Sequence, residues 1–277
     1  MAREQQFLSR VRAALATLGP AERKLGDLVA DFPGELASYN ASELAALAGV
    51  SNATVTRFVR RLGYASYEAA RVDARQELVT GSRLYAVATT ADTSDTAAYI
   101  SRDSHNISQT LGAVDMAQVD RVGTALLGAR KVWVVGYRAS AAFSAYLHWQ
   151  LTQVIESIVA IPGPGQTMGE HLASMRTGDM VVFFAMRRRT AQTGALLRQM
   201  HSQGVPVIII SDEGMETDPQ AFWHVHCQTS SPGPLFSHTA VMGLCSLIAN
   251  RTILVADRAG RIRLAEIERL NDVLDEL

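Results

Sequence analysis

The sequence predicts an all-helical N-terminal domain followed by a doubly wound, parallel-sheet α-β-α domain. Three observations predict this. Up to about Leu78, apolar residues recur at three- and four-residue spacing, the signature of helices with one buried face. Beyond residue 130, short runs rich in Val, Ile and Phe alternate with helical stretches, as strands buried on both faces of a parallel sheet do. Between the two, "TGSRLYAVATTADTSDT" (80–96) holds no sustained period and reads as a linker. The expected division is 1–78, a linker 79–97, and 98–277.

In the first domain Phe7, Val11, Ala14, Leu15 and Leu18 form one stripe, broken by Gly19-Pro20. Leu25, Leu28, Val29 and Phe32 form the next, stopped by Pro33-Gly34. Ser42 before "ELAALA" is the expected N-cap of a short helix, without a full capping box because Ala45 follows three residues later. Gly49 is placed to end that helix in the left-handed conformation. Ser51 caps the next helix, whose apolar positions are Val55, Phe58, Val59 and Leu62, and Gly63 closes it.

Helices are expected over about 97–113 and 116–127. Strands follow at "KVWVVG" (131–136), "SIVAI" (157–161), "DMVVFFA" (179–185), "VPVIIIS" (205–211) and "WHVHCQT" (223–229). Helices at 140–155, 191–203 and 238–254 separate several of them. The last segment carries Ile262, Leu264, Ile267, Leu270 and Leu274 as a helical stripe.

Composition narrows the function classes. With 277 residues, 48% hydrophobic and 19% charged, the chain can bury a large core. A net charge of −1 argues against a polybasic or membrane-surface protein, although a local basic patch acts within roughly 8–10 Å. Lys24 and Lys131 are the only lysines; the remaining basic residues are arginine. Cys227 and Cys245 are the only cysteines and form no close pair, as in a reduced cytoplasmic protein. The N-terminal stretch is charged and amphipathic, unlike a signal peptide, and no apolar run approaches the ~20 residues of a membrane span.

From Ser51 to Arg61 the chain holds three arginines and no acid, directly after a Gly-Val-Ser turn. Helix 41–48, that turn and helix 52–62 have the dimensions of a helix-turn-helix, whose second helix enters the major groove of DNA. With Val55, Phe58 and Val59 facing the core, Ser51, Asn52, Thr54, Thr56 and Arg57 are expected to point outward. Asn and Arg fit adenine and guanine edges. Arg60 and Arg61 come a turn later, where phosphates lie, and Ser42, at the start of the first helix, is also placed among the DNA-binding residues. The alternative is a solvated basic face.

"LGPAERKLGDLVADFP", "SELAALAGVSNATVTRFVRRLGY" and "SYEAAR" closely resemble the N-terminal domain of the RpiR-type (MurR/RpiR) bacterial transcription regulators, from about Leu18 to Arg75. The resemblance implies a sugar isomerase (SIS) domain over 98–277 that dimerises and binds an effector. It also implies a Gly-x-Gly-x-Ser loop after the first strand. Gly136 and Ser140 match, with Tyr137 between them and Arg138 in place of the second glycine. After the third strand, phosphosugar-binding SIS domains carry Ser-x-Ser-Gly-x-Thr. Here stand Ala185, Met186, Arg187, Arg188, Arg189 and Thr190, with only the threonine retained. Four arginines at two neighbouring strand ends point to a small anionic effector held by charge-assisted forks. A solvated loop or a subunit contact is the alternative. Ser237 and His238 are placed at the border of the same pocket.

Weaker signals remain. His224 and His226 share a strand face but lack a third ligand, so strand histidines satisfied by neighbours are expected, with no metal and no cofactor. Glu170 and His171 are read as part of a loop. The reading is therefore a regulator that binds operator DNA as a homodimer or homotetramer and senses an anionic metabolite. Its rival is a SIS-type sugar phosphate isomerase with a helical oligomerisation module.

Overall fold

The computed structural model describes residues 7–31, 36, 39–79, 95–187, 189–233 and 235–276. Phe32, the predicted linker over 80–94 and Arg188 fall outside them. Contacts divide the chain into two units, Met1–Arg102 with Ser230–Phe236, and Asp103–Thr229 with Ser237–Leu277.

Proline and glycine set the joints of the first unit. Helix α1 (Phe7–Ala14) runs into a 3-10 turn at Leu15–Thr17, and α2 (Pro20–Asp31) starts on Pro20, where a missing N–H is harmless. Then come α3 (Ala41–Ala48), α4 (Asn52–Arg61) and α5 (Tyr67–Val79). Phe7, Val11, Leu25, Leu44, Val55 and Phe58 are fully buried in one cluster. Gly26 lets α2 sit close, since a Cβ there would meet Leu15 and Leu18 side chains at 2.8 Å.

The second unit is a five-stranded sheet in the order β2-β1-β3-β4-β5, every neighbouring pair parallel. Its strands are β1 (Val132–Gly136), β2 (Ile158–Ile161), β3 (Met180–Ala185), β4 (Val207–Asp212) and β5 (Trp223–Cys227). The helices are α7 (Met116–Gly128), α8 (Ser140–Thr152), α9 (Gly169–Ser174), α10 (Thr193–Ser202), α11 (Thr239–Val255) and α12 (Arg258–Leu274), while α6 (Thr96–Gly112) carries the division between the units. The six-residue α9 corrects the expectation of a loop around Glu170 and His171, and β5 ends at Cys227 rather than at residue 229.

Alternation along each strand sorts the core into two layers. Val132, Val134, Val182, Phe184, Ile208 and Ile210 cluster with α7, α8 and α11. Val135, Val181, Phe183, Val207 and Ile209 cluster with α10 and with the methionines flanking α9. Chain leaving β1 therefore enters a helix on one face, and chain leaving adjacent β3 enters a helix on the other. Such a reversal opens a crevice at the carboxyl ends of the two strands.

Candidate nucleic-acid interface and effector crevice

In the first unit, α3 is begun by Asn40. Its Oδ1 accepts from the N–H groups of Ser42 (3.0 Å) and Glu43 (2.9 Å), and Glu43 Oε2 accepts from the Asn40 N–H at 2.8 Å. This complete capping box, begun two residues earlier than Ser42, corrects the sequence expectation. Ser42 instead accepts a hydrogen bond from Asn52 Nδ2 (3.0 Å), so it braces the leading residue of α4.

Both helices of the pair end alike. Gly49 adopts φ +63°, with Gly49 N–H donating to Ala46 O and Val50 N–H to Ala45 O. Gly63 adopts φ +89°, with the matching bonds from Gly63 to Arg60 O and from Tyr64 to Val59 O. These Schellman closures need a left-handed residue, which glycine supplies without strain. The turn Gly49-Val50-Ser51 then holds the two helices in contact, and Ser51 Oγ accepts from the Thr54 N–H at 3.2 Å.

On α4 the structure exposes Ser51, Asn52, Thr56, Arg57, Arg60 and Arg61 and buries Val55, Phe58 and Val59 completely. Thr54 departs from expectation: it is 4% exposed, because it stands four residues before Phe58 on the inward face. Its hydroxyl lies 3.0 Å from Ser51 Oγ and accepts from Arg57 at 3.3 Å, so it orients the exposed arginine from beneath. Arg61 also differs from its expected role. It is tied to the domain body by Glu22 (3.3 Å) and the Thr17 carbonyl (2.9 Å). Arg57, midway along the helix, and Arg60, in its last turn, are the cations of this edge left facing outward, and Thr56 Oγ1 donates to Asn52 O at 3.1 Å.

In the second unit, β1 and β3 pair directly with Gly136 opposite Phe184, so the two predicted strand ends are neighbours. Gly136 is obligatory: a Cβ there would lie 2.2 Å from the Ser140 carbonyl oxygen. Arg138, where the resemblance puts a second glycine, has a left-handed backbone at φ +54°, and its side chain is exposed. The first turn of α8 winds back tightly, with Ser140, Ala141 and Ala142 N–H groups donating to the carbonyls of residues 137, 138 and 139. Ser140 is buried. The Tyr137 hydroxyl makes no hydrogen bond to the described residues, and burial pushes its pKa up.

The arginines after β3 do not stand open as predicted. Asp212, fully buried at the end of β4, lies 2.6 Å from Arg189 and 3.6 Å from Arg187, which is itself 3.6 Å from Glu213. Arg189 also donates to the carbonyls of Ala185 (3.2 Å) and Gly214 (3.4 Å). Two carboxylates thus balance two guanidiniums, a correction to the all-cationic pocket. The physical reason is that a buried charge needs a partner, and β4 carries the acids. Asp212 and Glu213 were missed in the sequence; two acids straight after "VIIIS" were the available signal. Thr190 is half-buried, 3.3 Å from the Thr193 hydroxyl.

His238 sits at the start of α11 with its ring 5.0 Å from Phe143 on α8. Burial lowers its pKa, and the nearby Asp212 charge works the other way. Ser237 lies 3.1 Å from the Thr239 hydroxyl. His224 and His226 are satisfied by neighbours as expected. Both meet Ser211 Oγ (2.9 and 3.0 Å), His224 Nδ1 accepts from the Asp218 N–H (2.9 Å), and His226 Nε2 meets Thr217 Oγ1 (3.0 Å).

Comparison with known proteins fits both halves. The helix-turn-helix domain of the rpiR family matches residues 5–81, and the SIS domain matches 125–251. The HTH-type transcriptional regulator HexR of Pseudomonas aeruginosa is 24% identical over 214 residues, 76% of this chain and 74% of that protein. An uncharacterised HTH-type transcriptional regulator of Providencia stuartii is 21% identical over 203 residues, 70% of each chain. The fold is shared with the sugar isomerase domain of an RpiR transcription factor from Sphaerobacter thermophilus, with a TM-score of 0.56 and 22% identity over 62% of this chain and 96% of that one. It is shared also with the Vibrio vulnificus NanR protein complexed with ManNAc-6P, with a TM-score of 0.55 and 16% identity over 97% and 98% of the two chains. Among the described residues no single helix is long and apolar enough to cross a membrane.

Proposed function

Since the chain belongs to the rpiR-type family of helix-turn-helix transcription regulators with a SIS domain, we propose that it binds operator DNA as a homodimer through α4 and that a small anionic metabolite at the β1/β3 crevice alters that binding. The observation that carries the DNA reading is the exposed edge of α4, which offers Asn52, Thr56, Arg57 and Arg60 over a fully buried apolar face. Asn52 and Arg57 would read base edges, and Arg60 would contact phosphate. Two copies bound to half-sites ~34 Å apart tolerate little misplacement, so a small change in how the copies are held is enough to switch binding.

For the effector, the fold and its switch-point crevice support a site at the ends of β1 and β3. The NanR structure holds a phosphosugar, which keeps sugar phosphates in the candidate set alongside sugar acids and other carboxylates. Arg138 is the exposed cation of the first loop. Arg187 and Arg189 are already matched by acids, so an incoming anion would take the place of Glu213, which is 21% exposed where Asp212 is fully buried. Binding would then exchange one anion, the Glu213 carboxylate, for another and release the residues after β4. That is a local event able to propagate.

Two measurements test the reading. Fragments selected from a genomic DNA pool should be retained by the wild-type chain and lost with Arg57→Ala; equal retention would remove the DNA assignment. Calorimetry over a panel of phosphosugars and sugar acids should find a binder weakened by Arg138→Gly and tightened by Glu213→Gln. A panel without any binder would remove the effector site.

A further inference from the structure

The segment that joins β5 to α11 is shared between the two units. Its ends, Thr229 and Ser237, group with the sheet, whereas Ser230–Phe236 between them groups with the helical unit. The ends are pinched together, because the Ser237 N–H donates to the Thr229 carbonyl at 3.0 Å. Thr229 is 1% exposed, and its hydroxyl donates to Glu213 Oε2 at 3.1 Å, while Oε1 of the same carboxylate lies 3.6 Å from Arg187. One side chain thus joins the crevice arginine to the neck of the segment. A hydroxyl so buried has no water to turn to when its acceptor leaves, so the neck depends on where Glu213 stands.

Within the helical unit the same segment is anchored twice. Gly233 is buried against α6, where a Cβ would lie 2.8 Å from the Tyr99 hydroxyl, and its N–H donates to Ser231 Oγ at 3.1 Å. Phe236 takes the guanidinium of Arg12, in the last turn of α1, over its ring at 4.9 Å from the centroid. Helix α1 is in turn fixed to α4. Arg10 Nη1 donates at 3.2 Å to the carbonyl of Leu62, the residue that caps α4, and Val11 packs in the cluster that holds Val55 and Phe58.

The geometry points to Ser230–Phe236 as a strap that reports the state of the effector crevice to α1, and through α1 to α4. An anion that takes the place of Glu213 on Arg187 moves the carboxylate away from Thr229. The neck then loosens, Phe236 is no longer held beneath Arg12, and α1 loses a restraint one turn from the residue that grips the end of α4. Glu213, Thr229 and Phe236 act here as positioning residues, none of them touching DNA. By linkage, operator DNA that favours one setting of α1 changes anion affinity by the same factor as the anion changes DNA affinity. This inference rests on the crevice reading above and supplies its route of transmission.

Hydrogen exchange in the full-length chain tests the strap with neither DNA nor anion present, so its outcome is separate from that of the crevice and operator readings. Thr229→Val keeps the shape and removes the donor, and Phe236→Ala keeps the neck and removes the ring. Each should speed exchange of the amides of α1 and those around Leu62 by about two- to fivefold, the loss of one cation–π contact. The double variant should be no faster than the faster single one, because both cut the same link. Glu213→Ala should behave as Thr229→Val does, whereas Glu213→Gln, whose amide oxygen still accepts from Thr229, should match the wild type. Unchanged slow exchange in β1 and β3 shows that each variant folds. Amides of α1 that ignore Thr229→Val, effects that multiply in the double variant, or a Glu213→Ala indistinguishable from the wild type would each overturn the proposal.

Discussion

Single residues carry the departures from the expected site. Arg187 is the clearest: its side chain is 2% exposed and lies between Asp212 and Glu213. Arg187→Ala leaves Asp212 buried with only Arg189 to offset it. It is expected to cost about 3 kcal/mol, the lower end for breaking a buried pair, since Arg189 remains at 2.6 Å. Urea denaturation would show this as a lower midpoint at unchanged slope. Arg138 is the opposite case, an exposed side chain on a left-handed backbone. Arg138→Gly therefore relieves strain while removing a cation, and is expected to raise stability by up to about 1 kcal/mol.

At the scale of elements, the helix pair 41–61 was legible almost in full. Gly49, Ser51, Val55, Phe58 and Val59 play the parts their spacing assigns, because glycine closure, capping and a 3.6-residue period are local physics. What was not legible was which of two nearby polar residues caps α3. Asn40 wins because Glu43 stands three residues on and completes the box. Asn40→Ala should lower the melting temperature, at a cost of about 1 kcal/mol, while Ser42→Ala should leave stability nearly unchanged and weaken DNA retention through Asn52. Within α4 the two outward arginines should separate by assay. Arg57→Ala is expected to relax discrimination between operator and mutated operator by about 1–3 kcal/mol. Arg60→Ala should weaken binding to all sequences alike and reduce the salt dependence, by about two phosphates per dimer.

The whole molecule adds a dependence on acid. His224 is pushed down to about 4 from 6.5, first by burial and then by the charge of His226, whose ring centroid is 4.3 Å away. Its Nδ1 accepts a backbone N–H, which also disfavours a proton there. A depressed histidine contributes stability that is complete above the unfolded value of 6.5 and is lost as pH falls through the folded value near 4. Thermal melts between pH 7 and pH 4 should therefore show a falling midpoint, and His224→Gln should flatten the fall. A midpoint that is constant over this window in the wild type would contradict the assignment.

By itself the sequence determined the helix pair, the five parallel strands and the two strand ends that face each other, since periodicity and breakers act over a few residues. Only the tertiary structure decided how charge is distributed at those ends. β3 and β4 are adjacent in the sheet, and burial forces Arg187 and Arg189 onto acids some two dozen residues further along the chain. Pairing across that distance is set by strand order and by the cost of an unmatched buried charge, neither of which is written in local spacing.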